Sequence, residues 1–239
     1  MATLALPTTP PDARHRTAPL DAVGPGELLV HEIYLSVQGE STYAGLPCVF
    51  VRTSVCDLRC AWCDTPYAFN RGDRMTRAAV VAAVLALDCP LVEVTGGEPL
   101  LQPEVYPLMA ELADAGKTVL LETSGAHDVG RIDPRVVVVM DLKCPDSGEE
   151  ARNYWPNLER LGPTAEVKFV VASERDWLWA AAAIRGHRLD GRFAVLVSCV
   201  FGKVEPRQLV GWLLAANLPR VRLQVQLHKV IWEPATRGV

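Results

Sequence analysis

Three cysteines, Cys56, Cys60 and Cys63, lie in the run Cys56-Asp57-Leu58-Arg59-Cys60-Ala61-Trp62-Cys63. Thiolates this close together can converge on one soft metal centre, and three of them leave one iron of a [4Fe–4S] cube without a protein ligand. A substrate or cofactor can bind at that open iron. A structural zinc site normally closes with four ligands, and no second CxxC or HxxxH occurs in the 239 residues, which makes zinc the weaker reading. The same spacing could put three thiols on one buried helix face; Pro66 and the charges of Asp57, Arg59 and Asp64 argue against that. Cys48, Cys89, Cys144 and Cys199 lack the spacing and read as core or loop thiols.

Such a loop needs a framework. From Leu28 onward, β-branched apolar stretches alternate with segments of helical periodicity, which predicts a parallel sheet covered by helices. Strands are expected at 28–37, 48–55, 91–96, 117–123, 136–143, 166–171, 192–199 and 220–227, and helices at 76–87, 103–115, 173–186 and 205–217. Thr76 is an N-cap candidate, Pro103 opens the second helix and Gly116 lies just past its end. The stretch 147–161 is ambiguous because Pro156 interrupts it. Continuous apolar runs such as Val136-Val137-Val138-Val139 suggest burial on both faces, and right-handed βα units closing partly into a (β/α) barrel are the natural α/β architecture.

In such folds reactive groups gather at the carboxyl ends of strands, and the polar motifs fall there. They are the cysteine loop, Thr95-Gly96-Gly97-Glu98, Glu122-Thr123-Ser124-Gly125 and Asp141-Leu142-Lys143. In Gly96-Gly97-Glu98-Pro99 the glycines allow a close backbone approach and Glu98 can accept a hydrogen bond from an ammonium group; an ordinary strand-to-helix turn is the alternative. Lys168, inside Val167-Lys168-Phe169, could face the barrel mouth or snorkel from an edge. His228 and Lys229 read as a polar exit from the last strand. Trp177 and Trp179 cannot share one helix face, so one could be exposed and mark a dimer surface.

Composition narrows the classes. A net charge of -4 gives no basic stripe for a nucleic-acid backbone, which points to a small-molecule substrate. No apolar run approaches the ~20 residues that span a bilayer. Seven cysteines, an odd number, without a secretory signal fit a reducing cytoplasm. Residues 1–27, with Pro7, Pro10, Pro11, Pro19 and Pro25, read as a loosely ordered extension, and 28–239 as one domain.

The cysteine motif with its aromatic Trp62, followed by Gly96-Gly97-Glu98-Pro99, resembles the radical S-adenosylmethionine superfamily. Ser36-Val37-Gln38-Gly39-Glu40, Gly45-Leu46-Pro47, Phe50-Val51-Arg52, Cys63-Asp64-Thr65, Glu122-Thr123-Ser124-Gly125 and the closing Arg237-Gly238-Val239 are similar to the 7-carboxy-7-deazaguanine synthase family within it. The resemblance runs from about residue 30 to the carboxyl end. It implies a partial barrel of the radical S-adenosylmethionine type. The implied enzyme is a carbon–nitrogen lyase that converts 6-carboxy-5,6,7,8-tetrahydropterin to 7-carboxy-7-deazaguanine with loss of ammonia, toward queuosine or related deazapurines.

Carried over residue by residue, the resemblance gives Cys56, Cys60 and Cys63 the cluster. It gives Trp62, Cys63, Asp64, Gly97, Glu98, Ser124 and Lys143 contacts to S-adenosylmethionine, and Thr65 a Mg²⁺ ion that bridges to substrate. Val37, Gln38, Gly39, Glu40, Arg52 and Thr95 match pterin-binding positions. The family often has Asn where Ser124 stands and Ser-Pro-Lys where Asp141-Leu142-Lys143 stands. A homodimer and a reducing donor such as flavodoxin or ferredoxin are also implied. Two other readings stay open: an activating enzyme that installs a radical on a glycine of a partner protein, and a zinc-binding interaction module. The Gln38-Gly39-Glu40 and Arg52 set suits a small polar ligand better than a peptide loop.

Overall fold

The apolar runs assemble into one nine-stranded sheet in the computed structural model, which describes residues 13–233 and 236–238. The strands are β1 (Glu27–Val37), β2 (Pro47–Thr53), β3 (Asp73–Thr76), β4 (Leu91–Gly96), β5 (Thr118–Thr123), β6 (Val137–Asp141), β7 (Glu166–Val171), β8 (Ala194–Cys199) and β9 (Val221–Gln224). Their order is β3-β1-β2-β4-β5-β6-β7-β8-β9. β1 pairs antiparallel with both β2 and β3, and every pairing from β2–β4 to β8–β9 is parallel. The sheet is thus an open, partly closed barrel of mostly parallel strands.

The helices are α1 (Ala13–Thr17), α2 (Arg77–Ala86), α3 (Val105–Asp114), α4 (Glu174–His187), α5 (Pro206–Ala215) and α6 (His228–Ile231). The Thr76 side chain caps α2 by accepting from the Ala79 amide (3.2 Å), and Gly116 (φ 80°) stands one residue beyond the C-cap of α3. Alternation along the parallel strands separates core from site: on β4, Val92 and Val94 enter the hydrophobic core while Glu93 and Thr95 line the cavity on the other face. The ambiguous stretch forms three short 3-10 turns, 145–147, 150–152 and 155–159, with no α-helix.

Several expectations need correction. β2 ends at Thr53, because the Ser54 amide donates to Leu29 O (2.9 Å) and Val55 turns to φ 78°. A β-branched residue in the left-handed region is strained. Val55 is held there by its amide donating to Ala68 O and its carbonyl accepting from the Glu98 amide, both at 2.8 Å. β3 carries no apolar alternation and forms only by pairing with β1. The last strand stops at Gln224, and His228 and Lys229 belong to α6 rather than to a strand exit. Trp177 is buried and Trp179 is half-buried against Trp155 and Phe169, so neither marks an exposed surface. Of the proposed extension, residues 1–12 lie outside the described residues, and 13–22 form α1 and a 3-10 turn.

Candidate active site at the carboxyl rim

The carboxyl ends of β2 and of β4 to β8 open on one cavity of about 690 Å³. Cys56, Cys60 and Cys63 line it together, along with Val37, Gln38, Gly39, Glu40, Arg52, Trp62, Asp64, Thr65, Thr95, Gly97, Ser124 and Lys143. The four remaining cysteines do not. Of the expected site residues, Glu98 alone lies behind the wall. Its buried carboxylate accepts from the Leu100 amide (3.0 Å), the Thr123 hydroxyl (2.9 Å) and the Ser124 amide (2.8 Å) and hydroxyl (2.5 Å). The glycines before it serve a close approach, although to protein: a Cβ on Gly97 would lie 2.2 Å from Val55 O.

Burial pushes the Cys56 thiol up to about 12 and Cys60 to about 11, and raises Cys63 as well. Thiolates there need a cation to form, and bound iron deprotonates its thiol ligands. Among the described residues no three His, Cys, Asp or Glu side chains close on a single ion. A cube takes each thiolate on a different iron, and three thiols lining one cavity offer that donor set. Beside them, Lys143 Nζ donates to Asp141 Oδ2 (2.7 Å); burial opposes its charge, but Asp141 and Cys60 outweigh that and raise its pKa.

Opposite the thiols the floor is made of charges. Lys168 Nζ donates to Glu40 Oε2 (2.7 Å) and, in a very short contact, to Glu122. Burial opposes both Lys168 and Glu40 in their charged forms, yet their attraction wins: Lys168 is raised and Glu40 lowered from their ordinary values. Gln226 Nε2 adds a bond to Glu40 Oε1 (2.7 Å). Gln38 bridges the Glu40 amide (3.0 Å) and Glu93 Oε2 (2.5 Å). Burial, then the neighbouring Glu122 charge, push the Glu93 carboxyl up to about 8.

Arg52 is less free than a solvent-facing fork. Its Nε donates to Glu32 Oε1 and its Nη2 to the Tyr34 hydroxyl, both at 2.7 Å, and among the described residues no group accepts from Nη1. Thr65 Oγ1 donates to Asp64 Oδ1 (2.9 Å), and Asp64 pairs with Lys229 (2.7 Å) at the mouth. Gly39 packs so closely on α6 that a Cβ would meet His228 Nδ1 at 2.5 Å.

Sequence reasoning underused Glu93, Glu122, Lys168, His228 and Lys229, all of which line the cavity. Glu93 and Glu122 each stand as the one charge inside an otherwise apolar strand, and Lys168 sits between apolar neighbours in a strand that also carries Glu166. No such pattern marks His228 and Lys229, which the last turn of chain brings back over the mouth.

The profile of the Radical SAM superfamily matches residues 50–137. A 7-carboxy-7-deazaguanine synthase of Chlorobaculum tepidum is 48% identical over 89% of this chain and 97% of its own length. Another, of Koribacter versatilis, is 43% identical over 88% of this chain and 99% of its own. Among solved structures, QueE from Escherichia coli superposes with a TM-score of 0.70 at 23% identity, over 83% of this chain and 94% of that one, a likeness of fold.

Proposed function

The chain belongs to the 7-carboxy-7-deazaguanine synthase family of radical S-adenosylmethionine enzymes, and from that premise we propose how its rim cavity divides the work. The reaction is the lyase step from 6-carboxy-5,6,7,8-tetrahydropterin to 7-carboxy-7-deazaguanine with loss of ammonia. The single observation that carries the assignment of residues is that the cysteine triplet and the Gln38, Glu40, Arg52 and Thr95 set open on the same cavity. When bound, the [4Fe–4S] cluster and S-adenosylmethionine supply the radical that starts the rearrangement.

Cys56, Cys60 and Cys63 hold the cluster. Trp62, Cys63, Asp64 and Gly97 offer backbone to the cofactor, while Ser124 and Lys143 offer side chains. Glu98 acts from behind by fixing the Ser124 hydroxyl and amide. On the other side, Arg52 Nη1 suits the pterin carboxylate, and Gln38 and Thr95, with the backbone of Val37 and Gly39, suit the donors and acceptors along the ring edge. The Glu40–Lys168–Glu122 group gives the floor fixed charges that need no reorganisation when a polar ring arrives. Thr65 is the proposed protein contact to Mg²⁺, which would neutralise remaining substrate charge. A homodimer, flavodoxin or ferredoxin as electron donor, a cytoplasmic location and a single domain over 28–239 complete the proposal. Among the described residues no helix is long and apolar enough to cross a membrane.

The test is an anaerobic assay of the reconstituted protein with S-adenosylmethionine, reductant and the pterin. Deazaguanine and ammonia are expected in equal amounts. A filled cluster that cleaves S-adenosylmethionine yet forms no deazaguanine would overturn the substrate assignment.

A further inference from the structure

The loop between β1 and β2 carries Gln38, Gly39 and Glu40 of the pterin side, and more than its own hairpin holds it. Its base is closed locally, by the Gln38 amide on Leu46 O and the Gly45 amide on Gln38 O, both at 2.8 Å. Its tip is held from a distant strand. The Thr42 amide donates to both carboxylate oxygens of Glu166 (3.1 and 2.9 Å), and the Thr42 hydroxyl donates to the same carboxylate in a very short contact. Glu166 stands on β7, which β4, β5 and β6 separate from β2 in the sheet. It is 1% exposed, it does not line the cavity, and among the described residues every hydrogen bond of its carboxylate goes to Thr42. A carboxylate taken out of water needs such donors, and a charge-assisted bond is roughly twice as strong as a neutral one.

The placement of these bonds ties them to the site. Glu166 and Lys168 are two apart on one strand and share a face, and their partners Thr42 and Glu40 are two apart in the loop. Gln38, two residues further back, donates to Glu93 on β4. Alternate loop residues 38, 40 and 42 thus each have a fixed partner on the sheet, and Glu166 holds the last of them. Between two of them Ser41 has φ 63°, a region that disfavours a side chain, and Gln224 Nε2 donates to its carbonyl (2.8 Å). With Thr42 released, that strained residue is free to relax, and Glu40 beside it moves with it.

We propose that Glu166 is a positioning residue for the pterin: by holding Thr42 it sets the 38–42 segment against β7, so that Glu40 sits on Lys168 and Gln38 on Glu93 when substrate arrives. This rests on the reading of Gln38, Gly39 and Glu40 as the pterin side. The expected effect is confined to one of the two ligands, because the proposed cofactor contacts lie on the cysteine loop and at the ends of β4, β5 and β6.

The experiment uses the full chain with its cluster reconstituted anaerobically, as wild type, Glu166→Ala, Glu166→Gln, Thr42→Val and the double variant Glu166→Ala with Thr42→Val. Glu166→Ala is expected to raise the KM for 6-carboxy-5,6,7,8-tetrahydropterin about tenfold, and Thr42→Val, which keeps the amide bond and loses that of the hydroxyl, about threefold. The double variant is expected to match Glu166→Ala, because the hydroxyl then has no acceptor to lose. Glu166→Gln, which keeps an acceptor for the Thr42 amide, is expected to recover most of the affinity. The KM for S-adenosylmethionine is expected to stay at its wild-type value throughout. An unchanged pterin KM in Glu166→Ala and Thr42→Val would overturn the inference, and so would a rise shared equally by both ligands, the mark of general loosening. If far-UV circular dichroism shows Glu166→Ala unfolded, Thr42→Val and Glu166→Gln decide by the same criterion. A wild type that cleaves S-adenosylmethionine but leaves the pterin unchanged would refute the substrate reading, a distinct outcome, and the inference with it.

Discussion

The two sides of the cavity are built from different material. The cysteine side is one continuous stretch whose shape is held through backbone groups: the carbonyls of 56–58 capped by arginines, the Val55 amide on Ala68 O, and the Glu98 amide on Val55 O. The floor opposite is made of side chains from separate elements: Glu40 from the turn after β1, Glu93 from β4, Glu122 from β5 and Lys168 from β7. Its charges hold one another. A backbone-held loop can lose a thiol and keep its fold, whereas a floor of mutually paired charges ties stability and ligand binding to the same atoms.

The strongest way to break this comparison sets Lys168→Met against Cys60→Ser. Removing Lys168 leaves Glu40 and Glu122 without their shared cation, and breaking a buried pair from one side costs about 3 kcal/mol. Lys168→Met is expected to lower the urea midpoint strongly and abolish product while still binding iron. Cys60→Ser is expected to lose iron and product while unfolding near the wild-type midpoint. If both variants unfold alike, the two sides are not mechanically distinct.

A smaller effect sharpens the floor's edge. Arg52→Lys keeps the charge but cannot reach Glu32 and the Tyr34 hydroxyl while also presenting a third donor. The KM for the pterin is expected to rise about tenfold, roughly 1.4 kcal/mol, with kcat little changed. Steady-state kinetics at saturating S-adenosylmethionine reads this, and an unchanged KM would remove Arg52 from the substrate.

The smallest effect is a slope with pH. Because Glu93 is raised to about 8, the native protein keeps a proton that the unfolded chain has lost at lower pH. This contribution to stability is complete below the ordinary carboxylate value and falls away as pH rises toward about 8. Urea midpoints are expected to fall between about pH 5 and about pH 9, with the fall reduced in Glu93→Gln. An equal slope in that variant would place the titration elsewhere.

The same contrast explains what could be read from the residues alone. The cysteine loop is local, so spacing within eight residues reveals its chemistry before any fold is known. The strands and helices of the parallel part also announce themselves, because their hydrophobic periods are local too; β4 and β7 begin and end where alternation says. The floor depends on register across strands, such as Arg52 beside Thr95 and Asp141 beside Lys168, and no linear spacing encodes it. Glu98 shows the reverse case: a motif residue whose type suggested a ligand contact spends its carboxylate on Thr123 and Ser124, because the strand ends bring them closer than the cavity. The return of α6 over the mouth rests on contacts such as Leu227 N to Gly39 O (3.0 Å), between the residue that precedes α6 and the turn after β1.

The contact of Arg16 with Asp57 has a counterpart at the other end of the chain, where the Arg237 guanidinium lies 4.3 Å from the centre of the Tyr67 ring. Both ends of the described chain are therefore fastened to the 56–67 segment. In mechanical terms that segment is the clasp of the molecule.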